Sequence, residues 1–158
     1  SANRSFVYSV ESGLWKEWEA AGGGRFPIVS ATSRDGVVYG QHATNGLIYT
    51  FQPSVFQDGG TNFSTTIQTG RSNFGSPFTK TETEIDIVGD TTTGNVAVWA
   101  SDNDFASFTQ VGTIDMSKNR KFATRLGSFY NRSHRFVYAD NYAFRVQAYL
   151  PGIRIGIG

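Results

Sequence analysis

The sequence predicts an all-β fold: an antiparallel β-sandwich or barrel-like unit preceded by a meander resembling one propeller blade. Three observations carry this expectation. Aromatic residues make up 15% of the 158 residues and glycines number 18, a composition of short strands joined by turns. Apolar side chains recur at every second position rather than at helical spacing. Turn-forming residues punctuate these runs at short intervals. A chain of this length is expected to form a single all-β domain, 1-158, in two packed parts: a meander over 1-56 and a sandwich-like part over 57-158.

In the first part, "SFVYSV" sets Phe6, Tyr8 and Val10 on one face, "ESG" turns, and "LWKEWEA" sets Leu14, Lys16 and Trp18 opposite Trp15, Glu17 and Glu19. The run "AGGGR" reads as a loop. No helical pattern and no Gly-Lys-Ser/Thr follows it, so it fails as a phosphate cradle. Pro27 places "RFPIVSATS" at a sheet edge or strand start. "GVVYGQH" and "GLIYTFQ" are joined through "ATNG", whose Asn45-Gly46 pair supplies the positive backbone angles of a hairpin turn. One such unit is what a single blade consumes, so no complete propeller is encoded in this chain.

The second part opens with loop-rich sequence, "PSVFQDGGTNF" and "RSNFGSPF". Alternation in "TETEIDIV" then sets Glu82, Glu84 and Asp86 on a solvent face opposite Thr83, Ile85 and Ile87. "GNVAVWAS" alternates Val96, Val98 and Ala100 against Ala97, Trp99 and Ser101, and "FASFTQVGTI" carries a turn or bulge at Gly112. In "HRFVYAD", Phe136 and Tyr138 lie opposite Arg135 and Val137. In "YAFRVQAYL", Tyr142, Phe144, Val146, Ala148 and Leu150 share one face.

Net charge is +1, but it is unevenly distributed: residues 1-117 hold six Lys/Arg against twelve Asp/Glu, and 118-158 hold eight Lys/Arg against Asp140 alone. Two readings are open. The asymmetry builds a polarised surface suited to ordered stacking or an anionic ligand, or the two halves interleave and the charges cancel across strands. Lys118, Arg120 and Lys121 cluster in "SKNRK", which has turn composition.

Cysteine is absent, which removes disulfides, thiolate nucleophiles and zinc-thiolate sites. His42 and His134 have no spaced partner and read as turn-flanking polar residues. No G-x-S-x-G elbow occurs. Asp102 and Asp104 in "SDNDF" lack the glycine and distal glutamate of a calcium loop and read as an acidic turn. The strand acids have no apolar surround to raise a carboxyl pKa. No catalytic residue, metal or cofactor is therefore expected, and the chain is not read as an enzyme. No run of 18 apolar residues occurs, and the first residues lack the basic start and apolar stretch of a secretory signal, so no membrane contact is expected. Trp15, Trp18 and Trp99 are candidates for a platform on which sugar rings stack, or for core and interface positions.

Four segments, "FVYSVESGLWKEWEA" (6-20), "GLIYTFQ" (46-52), "VWASDNDFASFTQVG" (98-112) and "RLGSFYNRSHRFVYADNYAFRV" (125-146), resemble in order and spacing the C-terminal portion of the packaged-DNA stabilisation or tail-hub proteins of short-tailed bacteriophages. In that family a W-x-x-W hairpin, a G-x-I-Y strand, a W-S-D-x-G-x-x-F-S segment and an R-L-G-x-x-R-x-R run recur. Here "SDNDFASF" lacks the glycine pair and "FYNRSHR" replaces a more compact basic-acidic run. The resemblance implies a non-enzymatic component of the virion, part of a ring that closes the DNA exit and joins head to tail. Its partners would be other virion proteins or copies of itself, with contact to packaged DNA. On this reading Lys118, Arg120, Lys121 and Arg132 line a DNA path or meet an acidic neighbour. The alternative is an extracellular carbohydrate-binding β-sandwich module that uses Trp15, Trp18 and Trp99.

Overall fold

The computed structural model describes residues 4–20 and 22–156; residues 1-3, Ala21 of the "AGGGR" run and the final two residues of "GIRIGIG" lie outside the described residues. The fold is all-β, with fourteen strands and no helix among the described residues. Every strand pair is antiparallel and no sheet closes into a barrel. The chain divides into two compact units between Phe63 and Ser64.

In the first unit, β1 (Ser5–Ser9) pairs with β2 (Leu14–Trp18) across a turn in which Gly13 holds φ 67°. A meander follows, β3 (Ile28–Arg34), β4 (Val37–His42) and β5 (Ile48–Phe51), in the order β3-β4-β5. Pro27 precedes β3, which is an edge strand, where a missing N–H costs no ladder bond. In the β4–β5 turn only Gly46 takes the left-handed conformation, at φ 70°. Asn45 contributes through its side chain, whose Oδ1 accepts from the Leu47 N–H at 2.9 Å. The short hairpin of β6 (Gln57–Asp58) and β7 (Thr61–Asn62) completes this unit. Among its described residues only Gly40 is buried. A Cβ on Gly40 would lie 2.7 Å from the Phe51 ring and 2.9 Å from Ile28, so these two side chains occupy the space of the missing one.

The second unit is sandwich-like. One sheet has the order β11-β10-β13-β8 and the other β12-β9-β14, where β8 is Thr65–Gln68, β9 Lys80–Gly89, β10 Asn95–Ser101, β11 Thr109–Asp115, β12 Lys121–Phe129, β13 Ser133–Tyr138 and β14 Val146–Ile155. Val96, Val98, Ile114, Phe136 and Tyr138 from the first sheet meet Ile85, Ile87, Ala123 and Leu126 from the second, with Met116 beside them. Each large apolar side chain buried in this way stabilises the fold by about 1.5–3 kcal/mol. The inward placement of Phe136 and Tyr138 and the outward placement of Arg135 and Val137 follow the alternation read from sequence.

Bulges overturn that alternation elsewhere. The pairing of β9 slips on both sides between Glu82 and Glu84, and one extra residue reverses which face each later side chain takes. Lys80 and Glu82 consequently join Ile85 and Ile87 on the inner face, while Glu84 and Asp86 remain outward. The expected solvent row of three acids is therefore incorrect for Glu82. A second slip, between Val146 and Ala148, turns Tyr149 toward the core and leaves Leu150 56% exposed. The single apolar face expected for Tyr142 to Leu150 ends at that bulge.

Candidate functional site

The four cations proposed to meet DNA do not form one surface. Lys118 and Arg120 are exposed. Lys118 Nζ lies 3.6 Å from Asp115. Arg120 Nη2 donates to Glu84 Oε2 at 2.8 Å and to Asp86 Oδ2 at 3.0 Å, and its guanidinium stacks over Phe122. The hydrogen bond to Asp86, the charge of Asp86 and then the contacts of Glu84 hold its pKa above the ordinary guanidinium value. Lys121 opens β12 facing inward, and its Nζ donates to Thr91 Oγ1 at 3.1 Å. Arg132 is 3% exposed. Both Lys121 and Arg132 are thus unavailable to line a DNA path, a correction that follows from strand pleating and from the partners Arg132 finds inside.

Those partners form a buried ionic cluster. Arg132 Nη1 donates to Glu82 Oε2 at 3.0 Å and to the Leu126 carbonyl at 2.7 Å. Its Nε and Nη2 form a two-pronged contact with Asp102, each at 2.8 Å. The guanidinium also lies over the Phe129 ring, 4.3 Å from its centre. Burial works against this charge, but the hydrogen bonds to Asp102 and Glu82 outweigh it and hold the pKa above the ordinary value. His134 Nε2 sits 2.9 Å from the same Glu82 oxygen; beside that carboxylate, the proton belongs on Nε2. Lys80, fully buried, donates to the Phe78 and Tyr130 carbonyls at 2.6 and 2.9 Å. His134 is therefore a core residue and not the turn-flanking one its position suggested. The cluster ties β9 to β13 and to the 102 loop.

The charge asymmetry along the chain is likewise absorbed by this unit. The acidic strand β9 lies between β12 and β14, both drawn from the basic end of the sequence. Besides the Arg120 contacts, Arg145 Nη2 donates to Asp90 at 2.9 Å. Cross-strand cancellation is the reading that holds.

The tryptophans do not make one platform either. Trp15 and Trp18, three positions apart on β2, point to opposite faces. Trp15 packs against Tyr8 with ring centres 5.2 Å apart, and Trp18 against Phe26 at 5.2 Å and Phe51 at 6.2 Å. Trp99 belongs to the second unit, on the outward face of β10, opposite Arg135.

A groove of about 970 Å³ lies in the first unit. Trp18, Phe26, Val38, Ile48, Tyr49 and Phe51 supply apolar lining, and Glu17 and Glu19 line it as well. Ile48 is 70% exposed. This arrangement has the chemistry to receive an apolar segment of another protein, since large exposed apolar patches with polar rims mark interaction surfaces. No family model matches the chain, and no curated protein matches it.

Proposed function

We propose that this chain is a non-enzymatic structural module of a virion, of the kind that joins head to tail in short-tailed bacteriophages, and that it assembles with copies of itself and neighbouring virion proteins through its first unit. The observation carrying this reading is the uncovered apolar groove around Trp18, Phe26 and Phe51 in a unit whose only buried described residue is Gly40. Apolar surface removed from water contributes about 25 cal/mol per Å², so a partner seated there stabilises this unit as well as the complex. The four segments that resemble the phage family add to the reading. Protein contact takes precedence over DNA contact, because Lys118 and Arg120, the exposed cations of the proposed group, already face carboxylates.

Native mass measurement over a concentration series tests this. The expectation is self-association by about 100 µM, and a return to monomer in Ile48→Lys with an unchanged circular dichroism spectrum. A chain that stays monomeric throughout, or an Ile48→Lys variant that assembles as well as the parent, would contradict the proposal.

A further inference from the structure

We propose, independently of the assembly reading, that the outward face of the four-stranded sheet binds a carboxylate-bearing sugar ring of the uronic-acid type, in a cleft between Trp99 and the loop carrying Phe105 and Phe108. Cross-strand pairing aligns the floor. Gln110, Trp99, Arg135 and Gln68 are register partners on four successive strands, so their side chains form one row on one face. A cleft of about 480 Å³ lies over Trp99 and Arg135 of this row and is lined also by Phe105, Phe108 and Val137.

Arg135 is poised for an anion. Its guanidinium lies 3.6 Å from the centre of the Phe108 ring, and Nε and Nη2 donate to the neutral Gln68 Oε1 at 3.0 and 2.9 Å. Among the described residues it has no carboxylate partner, and neither its Nη1 nor the Trp99 indole N–H has a hydrogen-bond acceptor. A half-buried cation pinned flat by a ring, with free N–H groups beside a free indole donor, is matched by a carboxylate accepting charge-assisted hydrogen bonds.

The loop supplies a second, independent observation. Asp104 and Phe105 both take the left-handed conformation, at φ 57° and 67°, which costs a non-glycine residue about 1–3 kcal/mol. The strain is held in place by polar contacts: the Phe105 N–H donates to Ser101 Oγ and the Ser107 N–H to Asn103 Oδ1, each at 3.1 Å. In this conformation Phe105 lines the cleft while 43% exposed, with its ring 6.3 Å from that of Phe108. Trp99 and Phe105 both line the cleft, and aromatic rings suit the apolar C–H face of a pyranose; Gln68 and Gln110, register neighbours of Arg135 and Trp99, are neutral hydrogen-bonding groups suited to hydroxyls. A nucleic-acid strand fits less well. It brings a phosphate with every nucleotide, whereas this row offers one cation, and the nearby Arg71 is already paired with Asp104.

Saturation-transfer NMR titration of the full chain with trigalacturonate, its methyl ester and a thymidine trinucleotide tests the inference. Trigalacturonate is expected to saturate and to bind about tenfold tighter than the ester. Arg135→Gln should bring the acid down to the affinity of the ester while leaving the ester unchanged. Phe105→Ser, on an exposed ring whose loss does not threaten folding, should weaken both, and Trp15→Ala neither. No saturation by either sugar, equal affinity for acid and ester, tighter binding of the trinucleotide, or a preference for the acid that survives Arg135→Gln would overturn it.

Discussion

The two units are built from the same material and end up energetically different. Both are antiparallel strands with aromatic residues at alternate positions, but the second unit encloses two facing sheets around Ile85, Val96, Val98, Ile114 and Met116, while the first leaves Leu14, Trp15, Val29, Leu47 and Ile48 each more than half exposed. The difference is one of layers. A sheet face becomes a core only when another layer covers it, and the first unit has a ring cluster where the second has a second sheet. Apolar composition alone therefore does not make a core, and an uncovered face is where a partner gains most.

The largest effect expected from this contrast sets one arginine against another. Arg132→Met leaves Glu82 buried without its cation and should cost about 3–5 kcal/mol in urea unfolding. Arg120→Met, at an exposed site, should cost less than about 1 kcal/mol. Equal costs would mean that the Arg132 cluster is not the buried support described here. Next come two isoleucines. Ile114→Ala, from a fully buried site, should cost about 2–5 kcal/mol, and Ile48→Ala should stay within about 0.5 kcal/mol. A large loss at Ile48 in the monomer would give the first unit a core of its own.

A smaller effect follows from Tyr138, whose hydroxyl donates to the Thr93 carbonyl at 2.7 Å. Burial first, and the charge of Asp140 further, push its pKa above the ordinary phenol value of 10.0. The fold thus favours the protonated phenol. Its contribution is intact below the unfolded-state value and is lost as pH rises through that value toward the folded one. Stability measured from pH 8 to 11 should decline, and Tyr138→Phe should flatten the decline. An unchanged slope in the variant would assign the alkaline loss to other groups.

Sequence reading captured the elements because strand alternation is local: Phe136, Tyr138, Val96 and Val98 face inward as their spacing requires. What it missed lies beyond bulges and across long separations. Nothing around Thr83 announces the slip that turns Glu82 inward, and Glu82 and Arg132 meet across 50 residues. The charge asymmetry was visible, but whether it would cancel depended on β9 lying between β12 and β14, a matter of topology and not of composition. Trp99 was legible as a candidate ring; its register partner Arg135, and the Phe108 ring against that guanidinium, became legible only in the folded sheet.

Hydrogen exchange read by mass spectrometry, at concentrations below and above any assembly, tests the central contrast most directly. The account predicts strong protection in β10 and β13 at all concentrations, weak protection in β3, β4 and β5 in the monomer, and slowing of those three strands alone on assembly. Equal and strong protection of β3 to β5 and β10 in the dilute monomer would contradict it.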